Sequence, residues 1–399
     1  MATENGLAAK GGIGKALLIS PVCPDPLGNG LARRAWSWAA ALASEHHLVT
    51  AIVDAWSQAS TIPAALPGTV LKFPRGAAPV GDPRAEQFWP AADFAAVLQR
   101  TFAGEAPARI IVFRLYMDGA VSLLPKDWRA IAEIDWDDYE SATRQNLAGL
   151  ALRRGRLREA LAHWRDGAAC ERAEHRALAT YRTVHLASPE DAAAIRRHHA
   201  AAEVRVHPNR IAGPLRLPSA LPTGAPTILF VGTLGYLPNE DAVLWLAQDI
   251  APRLRRLVRQ VRIAVVGAAS DRLAARMRVA GLEYLGPLAD LTAAYAEASL
   301  AVAPLRGGGG TKIKVLEAWQ YGRAVVATSH ACRGLPVTDG QHLLRADTAS
   351  GIAAACARIL HDPALGSRLA LAGQALLREN FLVALPFKPV PLHVRDALP

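Results

Sequence analysis

The stretch 301–328, AVAPLRGGGGTKIKVLEAWQYGRAVVAT, decides the predicted fold of the chain. It predicts a short buried strand over residues 300–304, a loop of four consecutive glycines, and a helix that begins at Thr311. A second apolar strand is predicted over residues 324–327. A strand, a helix and a second strand in this order form the unit of a doubly wound α/β domain.

The glycine loop has the properties of an anion site, most simply a site for a diphosphate. Consecutive glycines let the backbone adopt conformations closed to other residues and approach a ligand without a Cβ atom. Thr311 is predicted to cap the helix, so that the free amides of the first helical turn point into the loop. Arg306, Lys312 and Lys314 add positive charge beside that helix N-terminus. The alternative is a solvated glycine loop followed by an ordinary core helix.

Glu317 is the acidic residue of this predicted helix. It lies between Ile313, Leu316 and Trp319, which follow helical spacing and predict a largely buried segment. A carboxylate in such surroundings needs hydrogen-bond partners, because burying it unpaired is costly. Sugar hydroxyls would serve, and a capped glutamate of a core helix is the alternative.

The run 307–328 resembles the donor-binding segment of bacterial glycosyltransferases of the GT-B fold, in the large family 4 and family 1 group. Many members carry a glutamate pair, E-x7-E, whose second Glu holds the nucleotide ribose and whose first contacts the donor sugar. Glu317 matches the second Glu, whereas the first falls at Gly309. The sequence instead resembles the branch with a GGGT-x-x-K-x-x-E motif. The departure at Gly309 motivates a second interpretation, a non-catalytic protein that binds a nucleotide sugar.

Composition and charge narrow the class of protein. With 399 residues, 51% hydrophobic and 20% charged, the chain is long enough for two globular domains. Its net charge of +10 favours polyanionic or membrane-surface neighbours. Nucleic acid is not a predicted partner, because no RNA- or DNA-binding motif accompanies the charge. An anionic inner membrane leaflet or a phosphorylated lipid-linked acceptor is favoured instead.

Cysteine spacing and hydropathy bear on the compartment and on metals. The four cysteines are scattered without a C-x-x-C spacing, which predicts reduced thiols of a cytoplasmic protein. No metal-ligand spacing occurs, so neither a metal nor a cofactor is predicted beyond the donor substrate. No apolar run reaches membrane-spanning length. The expectation is therefore a cytoplasmic protein, soluble or attached peripherally at the inner membrane face.

The N-terminal half predicts an acceptor-side α/β domain over residues 16–210, after a disordered lead-in at 1–15. Gly28, Asn29 and Gly30 follow its first strand and precede its first helix. The resemblance implies that this turn faces the cleft and approaches the donor phosphate or the acceptor. A tight turn between strand and helix is the alternative.

A cluster of carboxylates ends the strand predicted over residues 131–138. It resembles a D-x-D-D-x-E-S element in the acceptor domain of the same branch, which places Asp135 in the cleft. There a carboxylate could orient or deprotonate an acceptor hydroxyl. A metal site is disfavoured, because D-x-D binds metals in the other glycosyltransferase fold. For Asp137 and Asp138 the alternative is capping of the next helix.

Residues 147–180 predict a long amphipathic helical stretch with a basic face. Leucines and a tryptophan are interleaved with the basic residues. A solvated, merely charged surface is one interpretation, and a membrane-facing role is the other. The arginines are Arg153, Arg154, Arg156, Arg158, Arg165, Arg172 and Arg176.

A linker rich in proline and glycine is predicted at 211–226, before a second α/β domain at 227–380 and an irregular tail at 381–399. The loop GTLGYLPN matches the F-V-G-x-L-x-Y-x-P-N signature of the resembled family. Its Gly232 and Thr233 can offer backbone donors to a diphosphate. The resemblance also implies that the turn with Pro287 and Leu288 touches the nucleotide base.

The resemblance implies a GT-B fold, with two doubly wound Rossmann-like domains facing across a cleft. It implies a retaining transfer of a sugar from a nucleotide diphosphate sugar to a hydroxyl of a glycan, a polysaccharide or a lipid-linked acceptor. Arg306, Lys312 and the amides of Gly308, Gly309, Gly310 and Thr311 would hold the departing diphosphate, and Glu317 the ribose. A nucleotide-sugar epimerase of the same architecture is the alternative enzyme.

Overall fold

The computed structural model describes residues 14–54, 66–77, 88–216, 224–310, 312–383 and 393–396. The chain forms two compact units. Unit 1 comprises Met1–Asp135, Thr180–Thr183 and Pro386–Pro399, and unit 2 comprises Trp136–Ala179 and Val184–Leu385. The domain limits predicted from the sequence stay a prediction, and almost all of the expected disordered lead-in lies outside the described residues.

The elements of the first half alternate between strands and helices. Up to the end of the fifth strand they are β1 (Lys15–Ser20), α1 (Gly30–Ala43), β2 (His47–Asp54), β3 (Thr69–Pro74), α2 (Phe94–Thr101), β4 (Arg109–Phe113), α3 (Asp118–Ser122), α4 (Lys126–Ile131) and β5 (Ala132–Asp137). Then follow α5 (Glu140–Arg153), α6 (Leu157–Thr180), β6 (Thr183–Leu186), α7 (Pro189–His198), β7 (Glu203–Val206) and β8 (Ile211–Ala212).

The second half continues the alternation. Its elements are β9 (Thr227–Val231), α8 (Leu237–Trp245), α9 (Ala251–Leu257), β10 (Arg262–Val266), α10 (Asp271–Val279), β11 (Glu283–Gly286), α11 (Thr292–Glu297), β12 (Leu300–Ala303), α12 (Ile313–Gln320), β13 (Val325–Ala327), β14 (Leu344–Arg345), α13 (Ala349–His361), α14 (Pro363–Asn380), β15 (Leu382–Val383) and β16 (His393–Asp396).

The first sheet has eight strands in the order β16-β3-β2-β1-β4-β5-β6-β7. Its central strand β1 runs parallel to β2 and β4, with Leu17 opposite Val49 and Ile110. Four consecutive residues of β1, from Ala16 to Ile19, have no solvent exposure. A strand buried on both faces is typical of a parallel sheet covered by helices on both sides. This explains why an unbroken apolar run predicted it.

The second sheet has six strands in the order β11-β10-β9-β12-β13-β14, and its paired strands run parallel. Strand β9 pairs with β12 through Ile228 and Leu300. From this pair the chain order proceeds outwards in both directions. The loops that leave the carboxyl ends of β9 and β12 therefore diverge, and ligands of open α/β sheets bind in the crevice at such a switch point.

Helix α12 is anchored in the core of unit 2 by Trp319, which is completely buried. A Cβ atom on Gly373 of α14 would lie 2.3 Å from Trp319 Nε1, so the two helices can approach only because residue 373 is glycine. This packing holds the helix that follows the glycine loop.

Three predicted segments differ from the structure. The long helical stretch at 147–180 consists of two helices, because Gly155 has a φ of +70° and ends the first. The predicted linker begins as a strand, since β8 pairs in parallel with β15. The tail expected to be irregular contributes β15 and β16, and β16 pairs in parallel with β3. None of the described helices is both long and apolar enough to span a membrane.

Candidate functional site

The candidate site lies in unit 2, at the carboxyl ends of β9 and β12. Gly232 and Thr233 follow β9, and residues 304–310 follow β12. Helix α12 begins at Ile313, with Lys312 at its N-cap position, rather than at Thr311 as predicted. The predicted capping role of Thr311, and its predicted contact with the donor, lie outside the described residues.

The four glycines of the loop are required by the packing of the protein itself. A Cβ on Gly307 would lie 2.6 Å from Leu150 Cδ1, and a Cβ on Gly309 would lie 2.4 Å from Asp138 Oδ2. Gly308 has a φ of +101°, which favours glycine. The sequence interpretation, in which the glycines admit a ligand, misses this packing against α5 and the residues before it.

The backbone of the glycine loop offers both hydrogen-bond acceptors and hydrogen-bond donors. The carbonyls of Gly308, Gly309 and Gly310 accept hydrogen bonds from Lys312 Nζ, at 3.2 Å for Gly308 and 2.7 Å for Gly310. In contrast, no described residue accepts a hydrogen bond from the amides of Gly308 and Gly309. Amides without a protein partner are donors available to an anion.

Lys312 is a buried cation. Burial lowers the pKa of its ammonium to about 8, although the carboxylates of Asp138 and Asp191 oppose the shift. The loop carbonyls solvate this charge in place of water. The predicted contact of Lys312 with a diphosphate stays a prediction.

Lys314 is a second cation, half-buried and directed at the end of β9. Its Nζ donates to Asn239 Oδ1 at 2.6 Å and lies 4.3 Å from the centre of the Phe230 ring. A Cβ on Gly232 would be only 3.0 Å from this Nζ. Burial and then the charge of Lys312 lower the pKa of Lys314 to about 7. Sequence reasoning counted Lys314 only as a nearby charge, although it is the lysine of the GGGT-x-x-K-x-x-E motif.

Glu317 is buried in α12, one turn after Ile313. Tyr295 donates a hydrogen bond from its hydroxyl to Glu317 Oε2 at 3.4 Å, and the ring of Tyr295 stacks on Tyr321 with centroids 4.5 Å apart. The hydroxyl partner that the sequence required is thus supplied by the protein at one oxygen. The contact is long for an O–H···O bond, so it is weak. Binding of a ribose by Glu317 stays a prediction.

Arg306 forms an ion pair with a buried carboxylate. Its Nε and Nη2 donate to the two carboxylate oxygens of Asp241 at 2.9 and 2.7 Å, and its guanidinium lies 4.5 Å from the Trp245 ring centre. Asp241 is completely buried and also accepts from Arg154 Nε at 2.8 Å. A buried carboxylate must be neutralised, and Arg306 contributes to that. The predicted contact of Arg306 with a diphosphate stays a prediction.

Asp135 lies in an ion pair of the same kind. Its carboxylate is completely buried and accepts from Arg34 Nε and Nη2 at 2.7 and 2.6 Å. Trp38 Nε1 adds a further hydrogen bond at 2.5 Å. These contacts lie in the core of unit 1, so the geometry favours a structural ion pair over an acceptor-side base. Near the start of α5, Glu174 Oε1 accepts from the Ser141 amide at 2.9 Å. Capping of this helix by Asp137 or Asp138 stays a prediction.

The remaining predicted site residues lie on turns. Asn29 caps α1 by accepting from the Ala32 amide at 3.0 Å, and a Cβ on Gly28 would lie 2.8 Å from Ala32 Cβ. Gly30 is the first residue of α1, so the tight-turn alternative describes this stretch of unit 1. Thr233, Pro287 and Leu288 are exposed beyond β9 and β11. A ligand contact of any of them stays a prediction.

Sequence reasoning missed three polar residues beside the glycine loop. His330 Nε2 donates to Gly308 O at 2.8 Å. Burial and the charge of Lys312 lower the pKa of the imidazole to about 4, so the ring is neutral. Arg333 pairs with Asp191 at 2.7 Å. A cavity of about 10 Å³, roughly the space of one water molecule, lies between Asp191, Lys312, Arg333 and the loop. The only signal in the sequence was the C-x-G-L turn that carries Arg333.

Comparison with known proteins identifies the class of this site. Residues 225–362 match the family model described as glycosyl transferases group 1. The matched segment contains β9, the glycine loop, Lys312, Lys314 and Glu317, so this part of the chain is similar to glycosyl transferases of group 1. The resemblance predicted from the sequence is confirmed there. No curated protein sequence matches the chain.

Solved structures extend the comparison to nearly the whole chain. Sucrose-phosphate synthase from Thermosynechococcus elongatus has a TM-score of 0.64 at 18% identity, over 92% of this chain and 95% of that one. Anabaena HepE in complex with UDP and glucose has a TM-score of 0.61 at 15% identity, with coverage of 92% and 95%. A glycosyltransferase from Rickettsia africae has a TM-score of 0.61 at 12% identity, with coverage of 93% and 95%. These likenesses confirm the predicted GT-B class, with two Rossmann-like parallel sheets.

The described residues also bear on metal binding. Within the part of the chain that the structure describes, no group of three or more His, Cys, Asp or Glu side chains could hold a metal ion. The expectation that neither metal nor cofactor takes part stays a prediction.

Proposed function

We propose that the protein transfers a sugar from a nucleotide diphosphate sugar, bound at the loops after β9 and β12, to an acceptor hydroxyl. One observation carries the proposal. At the switch point of the second sheet, the amides of Gly308 and Gly309 have no acceptor among the described residues, and the carbonyls of the same loop bind Lys312 Nζ. Lys314 Nζ lies beside Gly232, at the end of β9. Cations with lowered pKa values and free amide donors together favour a multiply charged anion.

The diphosphate is the part of the donor that this geometry suits. When the bond between the anomeric carbon and the diphosphate oxygen breaks, negative charge develops on the departing oxygen. Preorganised donors in a site with little water stabilise that charge. The Lys314 ammonium beside Gly232 and the glycine-loop amides supply such donors, and Lys312 adds charge from behind the loop. The acceptor oxygen forms the new bond and loses its proton.

Glu317 is the proposed ligand of the ribose. Its Oε2 accepts a weak hydrogen bond from the Tyr295 hydroxyl at 3.4 Å, and a ribose hydroxyl can provide a stronger one. HepE, whose structure contains UDP, supports a uridine nucleotide as the first donor to test. We further propose a retained anomeric configuration, an acceptor that is a glycan or a lipid-linked saccharide in polysaccharide biosynthesis, and a cytoplasmic location at the inner membrane face.

The deciding experiment measures release of nucleotide diphosphate from a panel of UDP-, GDP- and ADP-sugars. Each donor is incubated with the full-length protein, with and without saccharide and lipid-linked acceptors. Release that requires an acceptor supports the transferase. Isomerisation of the sugar without release would instead establish an epimerase, and binding without either reaction a non-catalytic protein.

A lysine variant links the activity to the site. Lys314→Met should lower the affinity for the nucleotide diphosphate by about tenfold to a hundredfold, because hydrogen bonds to charged groups contribute about 1.5–3 kcal/mol. Lys126→Met removes an exposed lysine of unit 1 and is the matched control. Equal affinities of the two variants would contradict the proposed placement of the diphosphate.

A further inference from the structure

A second surface of unit 2 has no role in donor binding. Leu157, Leu161 and Trp164 of α6 are 65%, 58% and 47% exposed. Their spacing of four and then three residues puts them on one face of the helix. Large apolar side chains that are exposed singly need no explanation, but a contiguous stripe of them marks an interaction site.

A row of arginines runs beside this apolar stripe. Arg158, Arg165 and Arg172 recur every seven residues, so they occupy one line along α6. All three are exposed, and none forms an ion pair or hydrogen bond with another residue in the described part of the chain. Leu152 and Arg153, at the end of α5, are exposed as well.

The acidic residues of α6 are mostly engaged elsewhere. Glu159 pairs with Arg156 at 3.4 Å, and Asp166 with Arg144 at 3.8 Å. Glu174 is buried and accepts from the Ser141 amide. Glu171 remains as an exposed carboxylate. Although the helix carries equal numbers of acidic and basic side chains, its outer face is therefore predominantly basic next to the apolar stripe.

We infer that this surface docks on an anionic lipid bilayer. We call it the α6 patch and define it by Leu157, Leu161, Trp164, Arg158, Arg165 and Arg172. The apolar side chains enter the boundary between headgroups and acyl chains, and the guanidinium groups meet the lipid phosphates. Trp164 suits this boundary, because its ring is apolar and its indole N–H is polar.

Charge complementarity selects this occupant over a second copy of the chain. A symmetric dimer through the α6 patch would bring the two arginine rows together, and like charges across an interface are unfavourable. The overall charge of +10 acts in the same direction as the arginine row, since it attracts the chain towards an anionic surface. The inference does not depend on the proposed transferase reaction.

The test is cosedimentation of the full-length protein with vesicles of pure phosphatidylcholine and of phosphatidylcholine with 30% phosphatidylglycerol, a composition about as anionic as a charged leaflet. The protein is expected to bind the anionic vesicles at least about tenfold more tightly, with the difference falling as salt is raised. Equal binding to both compositions, or binding to neither, would overturn the inference.

Variants localise the surface. Arg158→Gln with Arg165→Gln should weaken binding by about fivefold for each charge, and Leu161→Ser with Trp164→Ser should weaken it by about tenfold or more. Leu371→Ser, on the exposed face of α14, is the matched control and should bind as the unchanged protein does. Brominated lipids should quench less fluorescence in Trp164→Phe than in the unchanged protein.

Two further outcomes separate the alternatives. Unchanged vesicle binding in the α6 variants would place the contact elsewhere and overturn the inference. A dimer that forms without vesicles and is lost in the same variants would make a second copy the occupant instead. UDP affinity, measured by calorimetry, should be equal in all of these proteins. Failure of UDP binding throughout would reject the proposed function and leave the vesicle result standing.

Discussion

At the scale of single residues, burial decides which charges can act on a ligand. Asp135 and Arg306 looked available in the sequence, yet each is paired with a partner distant in the chain, Arg34 and Asp241. In the sequence Lys314 counted only as a nearby charge, but in the structure its Nζ donates to the amide oxygen of Asn239. A cation without a carboxylate at close range is the better counter-charge for a diphosphate.

Asp135→Asn tests the structural role of the Asp135 ion pair. The change takes away the charged carboxylate that accepts two hydrogen bonds from the buried Arg34 guanidinium, so the free energy of unfolding should fall by about 3–5 kcal/mol. Activity per folded molecule should stay within about threefold of that of the unchanged protein, because the change acts on folding. On this scale a tenfold change in activity corresponds to about 1.4 kcal/mol. Denaturant unfolding and activity at low temperature measure the two effects. A stable variant that has lost its activity would restore Asp135 as the acceptor-side base.

Glu317→Ala tests the ribose assignment. Loss of the carboxylate should weaken UDP binding by about tenfold or more, because a hydrogen bond to a charged group contributes about 1.5–3 kcal/mol. The protein should remain folded, since the hydrogen bond from the Tyr295 hydroxyl is long and weak. Calorimetry with UDP and a thermal melt are the measurements. An affinity equal to that of the unchanged protein would reject the assignment.

Glu174→Gln tests how the buried Glu174 carboxyl group makes the stability of the protein depend on pH. Burial raises the pKa of Glu174 to about 7, so the folded protein holds this proton more tightly than the unfolded chain does. Its stabilising effect is complete below the unfolded pKa of 4.5 and is lost as the pH rises through about 7. The amide keeps an acceptor for Ser141, so at pH 8 the variant should be more stable by up to about 3 kcal/mol.

The measurement for Glu174→Gln is thermal unfolding at pH 5 and pH 8. The gain should be largest at pH 8 and small at pH 5, where the carboxyl of the unchanged protein is already protonated. Glu171→Gln, an exposed residue of the same helix, is the control and should change stability little at either pH. A loss of stability at both values would contradict the buried-charge explanation.

At the scale of elements, the glycine loop is held by α5 as much as it is shaped by its own residues. Close approach to Leu150 and Asp138 requires glycine at 307 and 309. The loop therefore has little freedom to shift while Lys312 binds its carbonyls from within. This rigidity keeps the free amides of Gly308 and Gly309 in place, which is what preorganisation for an anion requires.

Gly309→Ala tests this packing. The new methyl group would meet the Asp138 carboxylate and the Thr143 hydroxyl, so the free energy of unfolding should fall by about 1–3 kcal/mol. UDP affinity should fall with it as the loop moves. Gly149→Ala is the control, because no atom lies within 4 Å of the added Cβ and alanine favours the interior of α5. Equal stability of both variants would show that the loop is not packed as described.

At the scale of the whole molecule, donor binding and proton binding should be linked. Lys314 has a pKa lowered to about 7, so it is largely neutral at pH 8 in the free protein. A diphosphate raises that pKa, and binding should take up about one proton near pH 8. UDP affinity should consequently fall by up to about tenfold per pH unit above pH 7.

Calorimetry of UDP binding in HEPES and in Tris measures this proton uptake, because the two buffers differ in ionisation enthalpy. In Lys314→Met the uptake should fall and the pH dependence should flatten. Binding without proton exchange in the unchanged protein would place the diphosphate away from Lys314, whatever the affinity. The α6 patch adds a separate whole-molecule property, attachment to an anionic bilayer, which does not enter this linkage.

Much of the secondary structure followed from local pattern. The patterns at 109–113, 203–206 and 227–231 predict strands, and β4, β7 and β9 begin and end there. Ser188 precedes a proline, a position that predicts a helix cap, and it caps α7. Such features depend on neighbours within a few residues, so one sequence contains the information. The stretch 147–180 was predicted as one continuous helical stretch, which is wrong. An isolated glycine is tolerated within a helix, and its conformation cannot be read from its neighbours.

The sequence by itself determined the α/β class and the likeness of residues 225–362 to glycosyl transferases of group 1, because apolar periodicity and the GGGT-x-x-K-x-x-E motif are local. Only the tertiary structure decided which charges remain for a ligand. Asp135 and Arg34 are 101 residues apart in the chain, and Arg306 and Asp241 are 65 apart. Ion pairs between such residues form when the fold removes both partners from water, and no local pattern records that event.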